Sequence, residues 1–495
     1  MRIFRSTLQP HQIDSGLLVI GVFEGAELAA PVAKIDALLG GHLKEHVVSE
    51  EFKAKEGAQL SMHAHGKVPA RKIVLLGLGE KKAFTPRKFR AAAARAVRAA
   101  EAQKAVSLAL CLPFDASESA NAAKAAAEGA VLAAYRFTAY KKDAKTKLED
   151  VAVLGSSRLS VKAFDAALDL GAQFAAASLY ARDLVNTPSL DMTPRHLAKE
   201  AEKLAEAAPN RIAFKTYGRA ELKKMGCGGI LAVAQGSEHE PLLVHLKYRP
   251  VGKAKKRVVL VGKGVTFDSG GLSLKPADAM MDMKIDMAGA AAVLAVFKAL
   301  PLLKLPIEVH GIAALVENMP SGTAIRPGDI VHTMSGKTIE ILNTDAEGRV
   351  TLADALYYGA TLKPDVMIDL ATLTGACMVA LGQDLSGLMT DDEKLSTRLH
   401  GASEAAGEPL WRLPLVPEYA ELIKSRHADV KNIGGGRCGG AITAGLFLKE
   451  FVGTTPWAHL DIAGPAYNEK DYNDERSWGA SGYGARLLLE FLKRM

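Results

Sequence analysis

The stretch Asn343-Thr344-Asp345-Ala346-Glu347-Gly348-Arg349 places two carboxylates two residues apart, followed by a glycine and a guanidinium group. In an extended segment such side chains point the same way, so Asp345 and Glu347 are predicted to converge on one point. Gly348 permits close approach of backbone, and Arg349 offers a planar fork for an anion. A turn leading into a helix over residues 350–356 is an equally good interpretation of this stretch alone, because acidic residues favour the first turn of a helix.

A second stretch of acidic and basic residues lies upstream, after the β-branched run 258–261. It carries Lys263, Asp268, Lys275 and Asp286, and an alanine-rich helix is predicted after it, over residues 288–299. We expect Lys263, Asp268 and Lys275 in a loop beyond the end of a strand, where ligands of open α/β sheets bind. Several carboxylates at one point resist ionisation unless a cation compensates their charge, so the pattern predicts a divalent metal site.

Several motifs follow one another along the chain: Lys263, Asp268, Asp286, the sequences NMPSG at 318–322 and RPGD at 326–329, and the heptad 343–349. Together they closely resemble the motifs of the cytosolic leucine aminopeptidase (leucyl aminopeptidase) family, from about residue 182 to the C-terminus. The resemblance implies an α/β fold with two domains. The smaller N-terminal α/β domain would precede a larger catalytic α/β domain, which has a central mixed sheet flanked by helices.

The resemblance also implies an activity and a set of site residues. The activity is removal of N-terminal residues from peptides, preferably leucine and other apolar residues, by a hydroxide that bridges two metals. The metals are two divalent ions per subunit, Mn²⁺ or Zn²⁺, with Mg²⁺ as a further candidate. Lys275 would stabilise the oxyanion, and Arg349 would hold bicarbonate as the general base. The implied metal ligands are Lys263, Asp268, Asp286, Asp345 and Glu347, and the implied substrate-binding residues are Met283, Asn343, Thr372, Leu373, Gly375 and Ala463.

Some of these residues have simpler interpretations. Met283 also fits a plain core position, and Thr372 lies in an ordinary loop after the buried run 366–370. Lys263 can bind a metal only as a neutral amine, so bound cations would have to lower its pKa strongly. Three further aspartates near apolar runs are expected to form caps or salt bridges: Asp369, Asp384 and Asp461.

The chain of 495 residues has room for two or three domains. Alternating strands and alanine-rich helices predict an N-terminal α/β domain over 1–160, a linker helix over 161–182 and a catalytic domain over 183–495. Within the last we predict a helix capped by Thr193, a hairpin over 330–342 and a terminal helix over 485–493. The family resemblance implies a homohexamer.

Composition limits the cellular context. No apolar run reaches the ~20 residues of a membrane span, and no export signal is visible, so a cytoplasmic protein without a membrane anchor is expected. The four cysteines are scattered, which argues against disulfides. There is no HExxH or GxSxG motif, which argues against a zincin and a serine hydrolase.

The net charge of +7 keeps a DNA-binding regulatory role, additional or sole, as an alternative that would use the basic surface. A basic cluster lies at residues 81–98, with more lysines over 141–147, and a solvated helix face is the favoured interpretation. A metal-dependent phosphatase or nuclease is a third interpretation. It would use the same carboxylates but would not need Lys263 and Lys275.

Overall fold

The computed structural model describes residues 1–25, 30–83, 85–114, 119–142, 148–154, 159–436 and 438–495. The chain forms two compact units. Unit 1 consists of Met1–Ala176 together with Lys470–Trp478, and unit 2 consists of Ala177–Glu469 together with Gly479–Met495. The α/β class with two domains, predicted from the sequence, is confirmed.

Helices and strands alternate along most of the chain. The α-helices are α1 (Ala30–Leu38), α2 (His42–Ser49), α3 (Pro86–Ala102), α4 (Ser119–Ala133), α5 (Val161–Asn186), α6 (Pro194–Ala207), α7 (Arg219–Met225), α8 (Gly228–Val233), α9 (Ala277–Met280), α10 (Ala288–Leu303), α11 (Glu347–Thr361), α12 (Gly375–Leu381), α13 (Glu393–Ala406), α14 (Gly440–Lys449) and α15 (Ala485–Lys493). Short 3₁₀ helices cover Pro10–Gln12, Lys81–Ala83, Ala234–Gly236, Met283–Met287 and Pro417–Ile423.

The strands of unit 1 are β1 (Arg2–Ser6), β2 (Leu17–Val22), β3 (Gln59–His63), β4 (Lys72–Gly77), β5 (Ser107–Cys111) and β6 (Asp150–Leu154). Those of unit 2 are β7 (Ile212–Tyr217), β8 (Leu242–Tyr248), β9 (Arg257–Asp268), β10 (Glu308–Asn318), β11 (Ile330–His332), β12 (Thr338–Glu340), β13 (Val366–Ala371), β14 (Ser386–Met389), β15 (Leu410–Arg412), β16 (Val430–Lys431), β17 (Trp457–Asp461), β18 (Tyr467–Asn468) and β19 (Gly479–Ala480).

Unit 1 is built on a six-stranded sheet in the order β1-β6-β5-β2-β4-β3, parallel except for β3. Successive side chains of β2 face opposite sides, as the pleat of a strand requires. Leu17 and Val19 pack with the alanine-rich helices α3 and α4, whereas Leu18 and Ile20 pack in a second core with residues of α1 and α2. The sheet is therefore buried on both faces.

Four of the five basic residues of α3 are paired with acids of unit 1. Lys88 lies 3.0 Å from Glu56, and Arg90 Nε lies 2.8 Å from the carboxylate of Glu475. Arg90 is only 3% exposed, so the predicted solvated basic face is wrong at this residue. The lysines expected within 143–147 lie outside the described residues.

The segment Lys470–Trp478 is joined to unit 1 by this pairing. It is the tip of a hairpin whose strands, β18 and β19, belong to unit 2. Besides the Arg90–Glu475 pair, Arg95 Nε lies 3.3 Å from Asp474, and Arg98 donates a hydrogen bond to the Asp474 carbonyl.

Unit 2 contains an eight-stranded mixed sheet in the order β15-β14-β17-β13-β9-β10-β8-β7. The four central strands, β17, β13, β9 and β10, are parallel. Helix α11 packs on one face through Val350 and Leu352, and α10 packs on the other, where Ala290 closely approaches Gly262. The predicted mixed sheet flanked by helices is thus confirmed.

Smaller features of unit 2 also agree with the predictions from the sequence. The predicted hairpin is β11 and β12, and the terminal helix α15 has the predicted bounds. Thr193 caps α6 by accepting a hydrogen bond from the His196 backbone. The linker helix, in contrast, is longer than predicted, because α5 continues to Asn186.

One helical stretch, which comprises α9, the 3₁₀ helix Met283–Met287 and α10, has the length and apolar character of a membrane span. It covers Ala277–Leu303, yet 78% of its most apolar window is buried inside the protein. All four cysteines are free thiols, as predicted.

Candidate active site

Strand β9 carries two of the candidate site residues. The sequence predicted Lys263 and Asp268 in a loop after a shorter strand, but β9 continues through Asp268, so that prediction is wrong. Lys263 lies on the face of β9 that packs on α11, in line with Val259 and Val261. The register with β10 then shifts by one residue before Asp268. Such a bulge reverses the alternation of side chains, which brings Asp268 to the face of Lys263.

Gly348, near the start of α11, makes room for the Lys263 side chain. A Cβ atom at this position would lie 2.3 Å from Lys263 Cε, so any other residue here would force the lysine side chain to move. Lys263 Nζ therefore reaches past the helix to lie 2.7 Å from Asp286 and 2.8 Å from Glu347. It also donates a hydrogen bond to the Thr372 carbonyl at 3.1 Å.

The turn after β9 fixes Asp268. Gly270 has a φ of +86°, a conformation that favours glycine, and its backbone N–H donates to Asp268 Oδ1. Asn318 at the end of β10 donates a second hydrogen bond to the same oxygen at 2.8 Å. The other carboxylate oxygen lies 2.9 Å from Lys275 Nζ.

The heptad 343–349 forms a turn and a helix start. Asn343 Oδ1 accepts a hydrogen bond from the Asp345 backbone, and Glu347 is the first residue of α11. The extended geometry predicted for this segment is therefore wrong, and the alternative interpretation, a turn leading into a helix, is confirmed. Glu347 faces Lys263, whereas Asp345 lies 2.5 Å from Lys275.

The two lysines and four acidic residues make one group, which we call the carboxylate cluster. Asp268, Asp286 and Glu347 have ligand oxygens within 4.8 Å of one another, and Asp345 joins them through Lys275. Four carboxylates against two ammonium groups leave a formal charge of −2. The cluster comprises Lys263, Asp268, Lys275, Asp286, Asp345 and Glu347.

Burial sets the protonation of these groups. It raises the pKa of Asp268, Asp286 and Asp345 above the usual carboxyl range, and repulsion from neighbouring carboxylates adds to the effect. Burial acts to lower the pKa of both lysines, but the carboxylates outweigh it, so the pKa of Lys263 and of Lys275 is raised. Without further positive charge, the acids resist ionisation and the lysines remain protonated.

The cluster fits divalent metal ions. Asp286 Oδ2 is buried without a hydrogen-bond partner. Glu347 Oε1 and Asp345 Oδ1 contact lysines without an aligned hydrogen bond. Buried, unsatisfied carboxylate oxygens with excess negative charge match the oxygen ligands that Mg²⁺, Mn²⁺ and Zn²⁺ accept.

Arg349 lies buried beside the cluster on α11. Its Nη1 donates to the backbone carbonyl of Asn432 at 3.0 Å, while its Nε has no hydrogen-bond partner. Burial lowers the pKa of Arg349 to about 10, against the opposing effect of Glu347 and Asp461. The guanidinium therefore stays charged at neutral pH and retains an unused donor.

Asn432 is a site residue that the sequence analysis missed. Its side-chain oxygen accepts from the backbone of Leu342 and Asn343, and its amide donates to the Asn343 carbonyl at 2.6 Å. It thereby holds the turn that precedes Glu347. The glycines that follow it, at 434–436, could have signalled a close approach of backbone, but not its partner.

The predicted substrate-binding residues do not all lie in one kind of position. Thr372 is buried, and its hydroxyl donates to Asp286 at 2.7 Å, a contact with the cluster that the sequence did not predict. Asn343 is engaged in the turn described above. The other four lie on the surface or are partly buried: Met283 in the 3₁₀ helix that carries Asp286, Leu373 and Gly375 around the start of α12, and Ala463 after β17.

Of the aspartates expected in caps or salt bridges, Asp369 has that role, whereas Asp461 accepts hydrogen bonds without a cation partner among the described residues. Asp369 lies 2.6 Å from His459 Nδ1 and accepts a hydrogen bond from Trp457. Asp461 accepts a hydrogen bond from the Thr374 hydroxyl at 2.7 Å.

Comparisons with known proteins relate most of the chain to one protein family. Residues 179–489 match the catalytic domain of the cytosol aminopeptidase family, and residues 19–144 match the N-terminal domain of that family. The chain is 44% identical over 480 residues to a probable cytosol aminopeptidase of Nostoc punctiforme, with 96% of each chain covered.

Two solved structures resemble the whole chain. A mutant of tomato leucine aminopeptidase has a TM-score of 0.90 and 37% identity, covering all of this chain and 96% of its own. The bottromycin maturation enzyme BotP in complex with Mn has a TM-score of 0.86 and 38% identity, covering 97% of this chain and 99% of its own.

Proposed function

This chain belongs to the cytosol aminopeptidase family, and we propose that, as a metal-dependent aminopeptidase, it prefers peptides that begin with leucine or another apolar residue. The observation that carries the proposal is the approach of Asp268, Asp286 and Glu347 to within 4.8 Å in a cluster with excess negative charge.

The metal ligands we propose are Lys263, Asp268, Asp286, Asp345 and Glu347, holding two divalent ions. Mn²⁺ is favoured because a related enzyme is named as a complex with Mn, and Zn²⁺ and Mg²⁺ are the other candidates. When bound, two such ions supply a shared water of lowered pKa, which can act as a hydroxide nucleophile near neutral pH. Lys263 would have to give up its proton to serve as a ligand.

Lys275 is proposed to stabilise the negative charge that develops on the scissile carbonyl oxygen. The carboxylates around it raise its pKa, which keeps it charged at neutral pH, and its side chain is 14% exposed, which leaves it open to a ligand. A fixed positive charge at the reacting oxygen stabilises a tetrahedral transition state more than the ground state.

Arg349 is proposed to hold bicarbonate as the general base. Its buried Nε is an unused donor, and a guanidinium presents two parallel N–H groups to a planar anion. The free amino group of the substrate is proposed to bind at the carboxylate cluster, which would limit cleavage to the first residue. Met283, Asn343, Thr372, Leu373, Gly375 and Ala463 are proposed to surround that residue.

The test is hydrolysis of leucine p-nitroanilide by the purified protein. Activity is measured before and after chelation, then with Mn²⁺, Zn²⁺ or Mg²⁺ restored. The Asp345→Ala variant and N-acetylated substrate serve as controls. We expect activity to return when metal is restored, and we expect no cleavage of the N-acetylated substrate. Asp345→Ala should lower the rate by about 10³-fold or more, because a metal-held nucleophile lowers the activation free energy by several kcal/mol.

Two results would contradict the proposal. Absence of turnover with every metal, from protein shown to be folded by circular dichroism, would exclude leucine substrates. Equal turnover of the N-acetylated substrate would exclude the role proposed for the free amine.

The cytoplasmic location and the homohexamer are also proposals. The names of the relatives, which include the word cytosol, support the first. Light scattering tests the second, which requires a particle of six 52.5 kDa chains. We do not propose DNA binding, because none of the relatives reported above is named for it and Lys88, Arg90 and Arg95 of α3 are paired with acids. A phosphatase or nuclease is not retained, because the matched family is one of aminopeptidases.

A further inference from the structure

Asp461 ends strand β17 and connects two loops of unit 2. One carboxylate oxygen accepts hydrogen bonds from the backbone N–H groups of Leu373 and Ala463, at 3.3 and 3.2 Å. The other accepts from the Thr374 hydroxyl at 2.7 Å. Asp461 is fully buried, so these bonds are made away from water, where they are stronger than at the surface.

Thr374 connects Asp461 to the start of helix α12. Its hydroxyl donates to Asp461 and accepts from the Cys377 backbone at 3.0 Å, which caps the helix. Gly375 is the first residue of α12, so its position follows from that of Thr374. Through these contacts, one carboxylate holds three of the six proposed substrate-binding positions: Leu373, Gly375 and Ala463.

The other end of the same loop is fixed to the carboxylate cluster. Thr372 donates its hydroxyl to Asp286, and its carbonyl accepts a hydrogen bond from Lys263. The loop 372–375 therefore runs between two buried carboxylates, Asp286 on the side of the cluster and Asp461 on the side of β17. The distance between the cluster and the loop depends on both attachments.

We propose that Asp461 is a positioning residue that fixes the wall of the pocket for the first side chain of the substrate. It thereby sets the preference for large over small apolar first residues. The inference rests on the proposed function, because it takes Leu373, Gly375 and Ala463 as pocket residues. Asp461 itself need not touch the substrate.

The test compares kcat/KM for leucine p-nitroanilide and alanine p-nitroanilide, with Mn²⁺ present. Thr374→Val removes the hydroxyl that joins the loop to Asp461 but leaves the carboxylate charge in place. We expect the leucine-to-alanine ratio to change by about fivefold or more, since one methylene of misfit in an apolar pocket is worth about 10- to 200-fold. The Mn²⁺ concentration for half-maximal activity should stay the same.

Three variants complete the design. Thr374→Ser keeps the hydroxyl and should restore the ratio of the unchanged protein. Asp461→Asn cannot accept from Thr374 through its amide group, so it should change the ratio in the same direction as Thr374→Val, and it carries the test if that variant does not fold. Asp369→Asn is the matched control, because this buried aspartate on the neighbouring strand β13 contacts Trp457 and His459 but neither loop.

The outcomes separate this inference from the proposed function. An unchanged ratio in folded Thr374→Val and Asp461→Asn, with the rate lowered equally for both substrates, would overturn the inference and leave the peptidase intact. A similar change of ratio in Asp369→Asn, or no recovery in Thr374→Ser, would also overturn it. Inactivity of the unchanged protein on both substrates with every metal would overturn the proposed function and this inference together.

Discussion

Two buried groups of charges, one in each unit, differ in how their charges balance. In unit 1, Glu128 lies next to both Lys124 and Arg90, and Arg90 also contacts Glu475. Lys124 lies over the ring of Phe174, 4.7 Å from its centroid. Among the described residues, the two cations and two carboxylates named here, which we call the ion-pair cluster of unit 1, have formal charges that sum to zero.

The carboxylate cluster of unit 2 has the same number of lysine and arginine cations but twice as many acids. Its formal charge of −2 leaves three of its acids with a raised pKa and three oxygens without an aligned donor. A group of buried charges that is balanced needs nothing else, whereas an unbalanced one needs a ligand. Excess charge, more than burial, therefore distinguishes a binding site from a structural ion pair.

The largest expected effect on stability breaks the balance in unit 1. Glu128→Gln removes the carboxylate shared by Arg90 and Lys124 and should lower the free energy of unfolding by about 3–5 kcal/mol, because it breaks a buried ion pair and removes a negative charge that both buried cations contact. Urea unfolding followed by circular dichroism measures it. The activity of the folded fraction should not change.

Glu347→Gln is the matched variant in unit 2. In the metal-free protein it removes one of the excess negative charges, so the free energy of unfolding should stay the same or rise, while activity is lost. If the two glutamines cost the same stability, the distinction between balanced and unbalanced clusters would have to be abandoned.

An effect that is smaller at each pH unit comes from Asp354, a buried acid held by backbone donors instead of cations. Its oxygens accept from the backbone of Ile230 and Met334, and burial raises its pKa to about 7. The folded chain therefore keeps a proton that the unfolded chain releases near pH 4. Its contribution to stability is complete below that pH and is lost as the pH rises to about 7, at no more than about 1.4 kcal/mol per pH unit.

Urea unfolding between pH 4 and 8 measures this loss. The Mn²⁺ concentration is held at one saturating value throughout. Asp354→Asn has no proton to release, so the pH dependence over this range should become shallower than in the unchanged protein. An identical slope would show that Asp354 is ionised in both states.

The smallest effect concerns a hydrogen-bonded chain without excess charge in unit 2. The Tyr358 hydroxyl lies 3.0 Å from His245 Nδ1 and 2.9 Å from the Tyr217 hydroxyl. Tyr358→Phe removes both hydrogen bonds and should cost about 1–2 kcal/mol, since the typical net value of one such bond is about 1 kcal/mol. Thermal unfolding measures this loss of stability. His245 is neutral at pH 7, because burial lowers its pKa to about 4, so no charge on this residue increases the loss. A cost above that of Glu128→Gln would reverse the order expected here.

The sequence predicted the fold class and several of the elements, and it predicted that three of the charged residues lie together. The apolar run 258–261 marked the central strand β9, and the alternation of strands and helices indicated an α/β fold. Spacing and family resemblance together brought Lys263, Asp268 and Asp286 into one expected site, and the structure places them together.

The details of geometry were not predictable in the same way. Whether Glu347 belongs to an extended segment or to the first turn of α11 depends on Asn432, which holds the preceding turn from 85 residues further along the chain. The bulge in β9 depends on its pairing with β10. The start of α11 and the bulge in β9 both depend on contacts between distant parts of the chain, which local sequence patterns do not predict.

The hairpin tip Lys470–Trp478 affects how parts of the gene can be exchanged between related proteins. Unit 1 is encoded by two separate stretches of the gene, because this tip is inserted between strands of unit 2. An exchange of the first 176 codons between two members of the family would bring in foreign partners for Glu475 and Asp474 while keeping the old tip. Recombination is therefore expected to succeed where Arg90 and Arg95 face the same acids in both parents, and the N-terminal domain and this tip should change together over evolutionary time.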